Sequence, residues 1–135
     1  MTLLDSTSAK HADRIQREAA VTFLFTDIEG STRLWETEPE RMRLAMARHD
    51  ALVRAAVQRH GGTVVKMTGD GVHAAFGQCL EALSAALEIQ LELTQIPSTE
   101  GLPLAVRCGL HTGADERRDH DYFGPAVNRA ARIMS

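Results

Sequence analysis

Two aspartates at the ends of apolar segments are the residues of this chain whose type and position best suit chemistry. The first, Asp27, follows residues 21–25, a nearly continuous apolar and β-branched run that predicts a strand buried on both faces. A carboxylate at the end of a core strand is costly unless a partner neutralises it, and divalent cations are common partners in phosphate-handling enzymes. Gly30-Ser31-Thr32 predicts a turn into a helix, whose free N–H groups suit phosphate oxygens. The stretch therefore predicts a metal site beside an anion site, with an aspartate that only caps the next helix as the alternative.

The second aspartate, Asp70, lies in the tripeptide Gly69-Asp70-Gly71, within residues 62–77. An Asp-Gly pair between two apolar segments is a strong signal for a β-hairpin, and it places Asp70 at the tip. A hairpin beside the first strand would bring Asp70 next to Asp27. Two neighbouring carboxylates suit one or two Mg²⁺ or Mn²⁺ ions.

The elements that would position these aspartates follow a β-α-β-β-α-β order. Apolar residues recur on one face from Glu38 to His60, which predicts a long helix that ends at Gly61-Gly62. After the hairpin, a leucine stripe predicts a second amphipathic helix whose leucines cover the sheet: Leu80, Leu83, Leu87 and Leu91. Alternation over residues 104–111 predicts a further strand. This order is typical of an α+β, ferredoxin-like βαββαβ fold with helices on one face of an antiparallel sheet.

Several other residues have a structural interpretation rather than a chemical one. His49 lies on the apolar stripe of the long helix and is interpreted as a packed or interface histidine. Trp35, just before that helix, is interpreted as a core residue or a subunit contact. Residues 114–120 are charged and predict a solvated loop or a hairpin tip. A short final helix is predicted to open at Gly124-Pro125.

Length and composition predict one soluble domain. The chain has 135 residues, of which 44% are apolar and 24% are charged, an ordinary globular composition. The net charge of −3 provides no basic surface for nucleic acid, and every apolar run is too short to span a bilayer. We expect a cytoplasmic protein in which Cys79 and Cys108 are reduced thiols. The polar residues 1–20 predict a flexible leader, which leaves 21–135 as the folded domain.

Three segments resemble the catalytic domain of class III nucleotidyl cyclases. They are residues 25–32, 66–71 and 121–132, and they occur in the family's order and at sensible spacing over about residues 20 to 135. The resemblance implies an adenylate cyclase that converts ATP to cyclic AMP and pyrophosphate through attack of the 3′-hydroxyl on the α-phosphate. It also implies two Mg²⁺ or Mn²⁺ ions and a homodimer with active sites at its interface.

The same resemblance assigns roles to residues of the first two motifs. The implied metal ligands are Asp27, Ile28 and Asp70. The next four residues in the sequence are implied to bind the substrate: Glu29, Gly30, Ser31 and Thr32. Lys66 and Asp121 are implied to select adenine, which needs one hydrogen-bond donor and one acceptor from the protein.

The third motif supplies the implied catalytic pair. Asn128 resembles the ribose-orienting amide of the family, and Arg132 resembles its transition-state arginine, whose planar guanidinium suits a charged phosphate. Asn128 and Arg132 are four residues apart on the predicted final helix, so they share a face.

Two features qualify this interpretation. Lys66 and Asp70 are only four residues apart, yet they would serve opposite ends of the nucleotide, which favours sites shared between two subunits. The sequence ends at Ser135, where cyclase domains continue with a further helix and strands. The alternative function is therefore an inactive, cyclase-like nucleotide-binding or dimerisation module that regulates a larger signalling or transcription protein.

Overall fold

The computed structural model describes residues 20–97, 101–113, 116–118 and 121–123. The strands and helices, in chain order, are β1 (Val21–Ile28), α1 (Ser31–Thr37), α2 (Pro39–Arg59), β2 (Thr63–Met67), β3 (Gly71–Phe76), α3 (Cys79–Thr94), β4 (Val106–Gly113), β5 (Glu116–Arg118) and β6 (Asp121–Phe123). The predicted long helix, the predicted hairpin and the predicted fourth strand are therefore all present. The predicted final helix with Asn128 and Arg132 lies outside the described residues.

The four longer strands form one sheet in the order β2-β3-β1-β4, and every neighbouring pair is antiparallel. The continuous apolar run of β1 explains its interior position, because that strand is covered on both edges and both faces. The predicted α+β fold with an antiparallel sheet and helices is confirmed. The region predicted as a loop or hairpin tip differs in part, since Glu116–Arg118 forms β5 and pairs with β6.

The main core lies between one face of the sheet and helices α2 and α3. Its fully buried side chains include Leu24, Phe76, Met42, Val53 and Ile89. The opposite face of the sheet carries a smaller cluster built on Phe23 and Ala75. The side chain of His49 is also completely buried, which confirms that it is a packed histidine.

Helix α3 packs with the face opposite to the one predicted. The four leucines of the stripe are exposed by 70% at Leu80, 46% at Leu83, 55% at Leu87 and 60% at Leu91. The side that meets the rest of the domain consists mainly of small residues: Ala82, Ala85, Ala86, Ile89 and Leu93. The prediction that the leucines cover the sheet is therefore wrong. Alanine side chains allow α3 to lie closer to its neighbours than leucine side chains would. The alanine-rich stripe therefore faces the core, and the leucine stripe faces outward.

The structure also bears on the predictions for Trp35, for the two cysteines and for membrane-spanning segments. Trp35 lies on α1 and is 40% exposed, so it is not a core residue of this domain. Cys79 is exposed and Cys108 is half-buried, and both are free cysteines. Within the described ranges, none of the helices combines the length and apolar character that crossing a membrane requires.

Candidate functional site

The hairpin tip lies against the end of β1, which brings the two predicted aspartates into one region. Asp27 faces Gly71 across the β1–β3 ladder, and the N–H of Ile28 donates to the carbonyl of Asp70 over 3.0 Å. Asp70 therefore sits beside the last residues of β1, as the hairpin pattern predicted.

This close approach depends on Gly71 and Thr26. A Cβ atom on Gly71 would lie 2.2 Å from the backbone carbonyl oxygen of Thr26, far inside contact distance. The hydroxyl of Thr26, buried in the sheet, accepts a hydrogen bond from the N–H of Val72 over 3.2 Å. The missing side chain and the buried hydroxyl together hold the hairpin tip against β1.

The side chain of Asp70 is oriented by Ser31 in the first turn of α1. The Ser31 hydroxyl donates to Oδ2 of Asp70 over 2.9 Å. Gly30 precedes the helix with a φ of 66°, a left-handed conformation that favours glycine, and no side chain caps α1. Helix capping is therefore not the role of Asp27, and Ser31 serves Asp70 instead of the helix.

Asp27 forms a two-bond ion pair with Arg107 of β4. Nε and Nη2 of Arg107 donate to Oδ1 and Oδ2 of Asp27 over 2.8 and 2.7 Å, and the two residues are direct cross-strand partners. The hydrogen bonds to Asp27 and its charge raise the pKa of Arg107, and the charges of Glu29 and Asp70 add to this effect. Asp27 is therefore the direct partner of Arg107, and the negative charges of Glu29 and Asp70 add to the field at this guanidinium.

Arg107 was not identified from the sequence. Arg107 alternates with Val106 and Cys108, so the sequence pattern places Arg107 on the face of β4 opposite these two residues. However, the partner of an outward-facing residue depends on the strand order and register, which the alternation does not contain. The ion pair with Asp27 could be recognised only after β4 was placed beside β1.

Lys66 lies on the same face of the sheet as Asp27. It pairs with His73 across β2 and β3, after an irregularity in the register between Val64 and Lys66. The ring of His73 stacks on Phe25, with centroids 4.2 Å apart, and Phe25 is two residues from Asp27 on β1. Lys66 and Asp27 are thus on the face of the sheet opposite the main core.

The other predicted site residues divide into those that the structure locates and those that it does not. Glu29 and Thr32 are exposed, in the turn and the first helical residues after β1. Asp121 begins β6, and its side chain is outside the description. Asn128 and Arg132 lie outside the described residues. The predicted pairing of Lys66 with Asp121 therefore stays a prediction.

Asp27 and Asp70 provide only part of the ligand set that a metal ion needs. Among the described residues, there is no group of three or more His, Cys, Asp or Glu side chains arranged to hold a metal. The donors present are two carboxylates, of which one is held by Ser31 and the other is neutralised by Arg107. Oxygen donors of this type suit hard divalent cations.

The fold and this site together define a class of protein. The antiparallel sheet with helices matches the fold of solved adenylate cyclases. The chain belongs to the adenylate and guanylate cyclase catalytic domain family, whose model matches residues 14–135. The resemblance found in the sequence motifs is therefore confirmed.

Individual relatives agree with this assignment. The chain is 39% identical over 122 residues to an uncharacterised protein of Mycobacterium tuberculosis, covering 89% of this chain and 40% of that protein. It is 34% identical over 140 residues to an adenylate cyclase of Podospora anserina, covering 85% of this chain and 6% of the cyclase. A solved adenylate cyclase of Trypanosoma brucei, in its monomeric state, superposes with a TM-score of 0.80 at 29% identity, covering 86% of this chain and 68% of that one. The chain thus spans a minor part of the curated relatives' length.

Proposed function

We propose that this chain is an adenylate cyclase catalytic domain that converts ATP to cyclic AMP and pyrophosphate. The observation that carries the proposal is the approach of Asp70 to the end of β1, where Asp27 binds Arg107 and the charge of Asp70 also acts on that guanidinium. The adenylate cyclases among the relatives support the choice of ATP over GTP. Lys66 and Asp121, which suit the acceptor and donor of adenine, support the same choice.

The aspartates are proposed to hold divalent metal. Asp27, Asp70 and the backbone carbonyl of Ile28 would bind one or two Mg²⁺ or Mn²⁺ ions, which acidify the attacking 3′-hydroxyl and offset the charge of the triphosphate. Ser31 keeps the carboxylate of Asp70 in place for this task. Arg107 now donates to both oxygens of Asp27, so a cation bound there would compete with the guanidinium for this carboxylate.

Displacement from Asp27 would leave Arg107 beside the triphosphate. Its side chain is 56% exposed and its planar fork can bind two phosphate oxygens as it now binds two carboxylate oxygens. Glu29, Gly30, Ser31 and Thr32, in the turn beside it, are proposed to line the phosphate end of the site. The ion pair would then be the resting state of the site, in which Arg107 stabilises Asp27 until substrate and metal bind.

The remaining catalytic groups are proposed to come from a second copy of the chain. Lys66 and Asp121 would bind adenine, Asn128 would orient the ribose, and Arg132 would stabilise the charge that develops on the α-phosphate. A homodimer would pair these groups of one subunit with Asp27 and Asp70 of the other, which relieves the conflict between Lys66 and Asp70 on one hairpin.

The central test is product formation by the purified chain with Mn²⁺ and either ATP or GTP, together with an Asp70→Asn variant. The asparagine oxygen can still accept the Ser31 hydrogen bond, so the fold should stay intact while one ligand charge is lost. We expect cyclic AMP from the unchanged chain and a decrease in kcat on the order of 100-fold or more in the variant, because metal catalysis contributes several kcal/mol.

Glu36→Gln is the matched control, since Glu36 is an exposed carboxylate on α1 and loses the same charge. It should keep normal turnover. Near-normal activity of Asp70→Asn at limiting Mn²⁺ would show that the metal site lies elsewhere. Formation of cyclic GMP alone would overturn the adenine assignment, and nucleotide binding without any product would favour an inactive regulatory module.

The shared active site has its own test. An Asp27→Ala chain and an Arg132→Ala chain should each be inactive, and activity should return on mixing, because the heterodimer contains one site without a lesion. Activity of the unchanged chain should also fall on dilution. If activity does not return although subunit exchange is demonstrated, the site must be built within one chain.

A further inference from the structure

Gln90 on α3 connects this helix to the strand that carries Arg107. Its side-chain amide donates to the carbonyl oxygen of Val106 over 2.6 Å and to Sγ of Cys108 over 3.5 Å. Val106 and Cys108 are the two neighbours of Arg107 on β4. Because an amide NH₂ group has two hydrogens, one glutamine side chain can make both bonds at once. A single residue of α3 therefore holds β4 on each side of the residue that binds Asp27.

The Val106 carbonyl that Gln90 binds belongs to the outer edge of β4. The preceding carbonyl, of Ala105, accepts the N–H of Glu29 just after β1 over 2.8 Å, and successive carbonyls of a strand point to opposite sides. β4 is the last strand in the sheet order, and in the part of the chain that the structure describes its only strand partner is β1. Val106 is buried, and a buried carbonyl without a donor is costly. Gln90 therefore supplies the donor that a further strand would otherwise provide.

The ion pair of Arg107 with Asp27 depends on the position of β4. Two parallel N–H···O bonds, of 2.8 and 2.7 Å, join a planar guanidinium to a planar carboxylate, so the pair requires a specific alignment. Asp27 is on an interior strand with a partner on each side, whereas Arg107 is the second residue of an edge strand. Strand ends open more easily than strand interiors. A contact that fixes the start of β4 therefore also fixes the alignment of the pair.

We propose that Gln90 is a positioning residue for Arg107. It keeps the start of β4 in place and so keeps the guanidinium aligned with both oxygens of Asp27. The strength of this ion pair then sets how strongly Arg107 competes with a divalent cation for the carboxylate. This last consequence rests on the proposed function, in which Asp27 binds metal, whereas the alignment of Arg107 does not.

The alignment can be measured without catalytic turnover, from the exchange of the Arg107 Nε proton with solvent in ¹H–¹⁵N NMR of the full 135-residue chain. Gln90→Met retains the length of the side chain and removes both donor hydrogens. We expect exchange of the Nε proton to become roughly fivefold faster, the factor that corresponds to about 1 kcal/mol for one net hydrogen bond.

Three further variants separate positioning from a general loss of stability. Gln58→Met is the same substitution at an exposed position of α2 and should leave the exchange unchanged. Val53→Ala removes a fully buried side chain of α2 and should lower the stability of the domain, yet leave the local opening at Arg107 unchanged. Gln90→Lys keeps a long side chain with a donor and should retain most of the protection of the Nε proton.

Binding of Mn²⁺ without nucleotide gives a second readout. A weaker ion pair competes less for Asp27, so Gln90→Met should bind Mn²⁺ more tightly, by up to roughly fivefold. General damage to the site would weaken the binding instead. The relaxation of water protons by bound Mn²⁺ measures this affinity. If the unchanged chain does not bind Mn²⁺, the proposed metal site is wrong, and the exchange of the Arg107 proton still tests the role of Gln90.

Several outcomes would overturn the proposal. Unchanged exchange of the Arg107 Nε proton in Gln90→Met would show that Gln90 does not hold the ion pair. An equal increase in Val53→Ala would show that Gln90 acts only through overall stability, and an equal increase in Gln90→Lys would show that the donor is not what matters. Weaker binding of Mn²⁺ in Gln90→Met would show that the ion pair does not compete with the cation.

Discussion

Replacement of Gly71 by alanine should destabilise the domain at the place where the candidate site is assembled. The new Cβ would lie 2.2 Å from the carbonyl oxygen of Thr26 and 3.3 Å from Oγ1 of Thr68, and the nearer atom belongs to the backbone of an interior strand. Since that backbone cannot rotate away, β3 must separate from β1 near the hairpin tip.

The separation would weaken two hydrogen bonds, from Val72 N–H to Thr26 Oγ1 and from Ile28 N–H to the Asp70 carbonyl. At about 0.5–1.5 kcal/mol for each bond, the expected loss in the free energy of unfolding is about 2 kcal/mol. For a domain of this size, such a loss lowers Tm by roughly 7 °C. Thermal unfolding followed by circular dichroism measures this shift directly, and the proposed cyclase activity should also decrease in this variant because Asp70 moves.

Gly69→Ala is the matched control, two residues away in the same hairpin. A Cβ atom on Gly69 meets nothing within 4 Å, so this variant should be neutral or more stable by up to about 1 kcal/mol. If Gly71→Ala melts at the same temperature as Gly69→Ala, the close packing of the hairpin tip on β1 is not what holds the site together.

Two further predictions test the packing of α3 and the state of the thiols. Ala85→Leu should lower the free energy of unfolding by about 1–3 kcal/mol because Ala85 is fully buried. Leu87→Gln, at an exposed position, should change it by less than about 0.5 kcal/mol. Equal effects of the two variants in denaturant unfolding would contradict the observed orientation of α3. Burial raises the pKa of Cys108, so iodoacetamide should label exposed Cys79 first, and labelling of Cys108 should still be increasing at pH values where an exposed thiol is fully ionised. Mass spectrometry of timed samples would detect the order, and prior labelling of Cys108 would contradict it.

Much of the fold follows from local patterns. The apolar run of β1, the Asp-Gly turn at Asp70 and the long periodic stretch of α2 each contain their own signal, because strand, turn and helix geometry depend on residues close in sequence. The position of Asp70 at a hairpin tip could be predicted for the same reason, whereas its proximity to Asp27 depends on the pairing of β3 with β1. The family could also be recognised from three short motifs.

Other parts of the site required the tertiary structure. The bond from Ser31 to Asp70 joins residues 39 apart in the chain, and the pair of Asp27 with Arg107 joins residues 80 apart. Alternation along β4 indicates which face Arg107 occupies, but its partner depends on which strand lies beside it and in which register. A one-residue change of register would remove the ion pair.

The orientation of α3 shows the same limit most directly. Its sequence contains a leucine stripe and an alanine-rich stripe, and both have the period of a helix. The sequence by itself determined that an apolar helix forms there, and hydrophobicity alone favoured burial of the leucines. Only the tertiary structure decided that Ala82, Ala85 and Ala86 face inward, because the choice depends on the space left by the sheet and α2, which close packing requires to be filled without overlap.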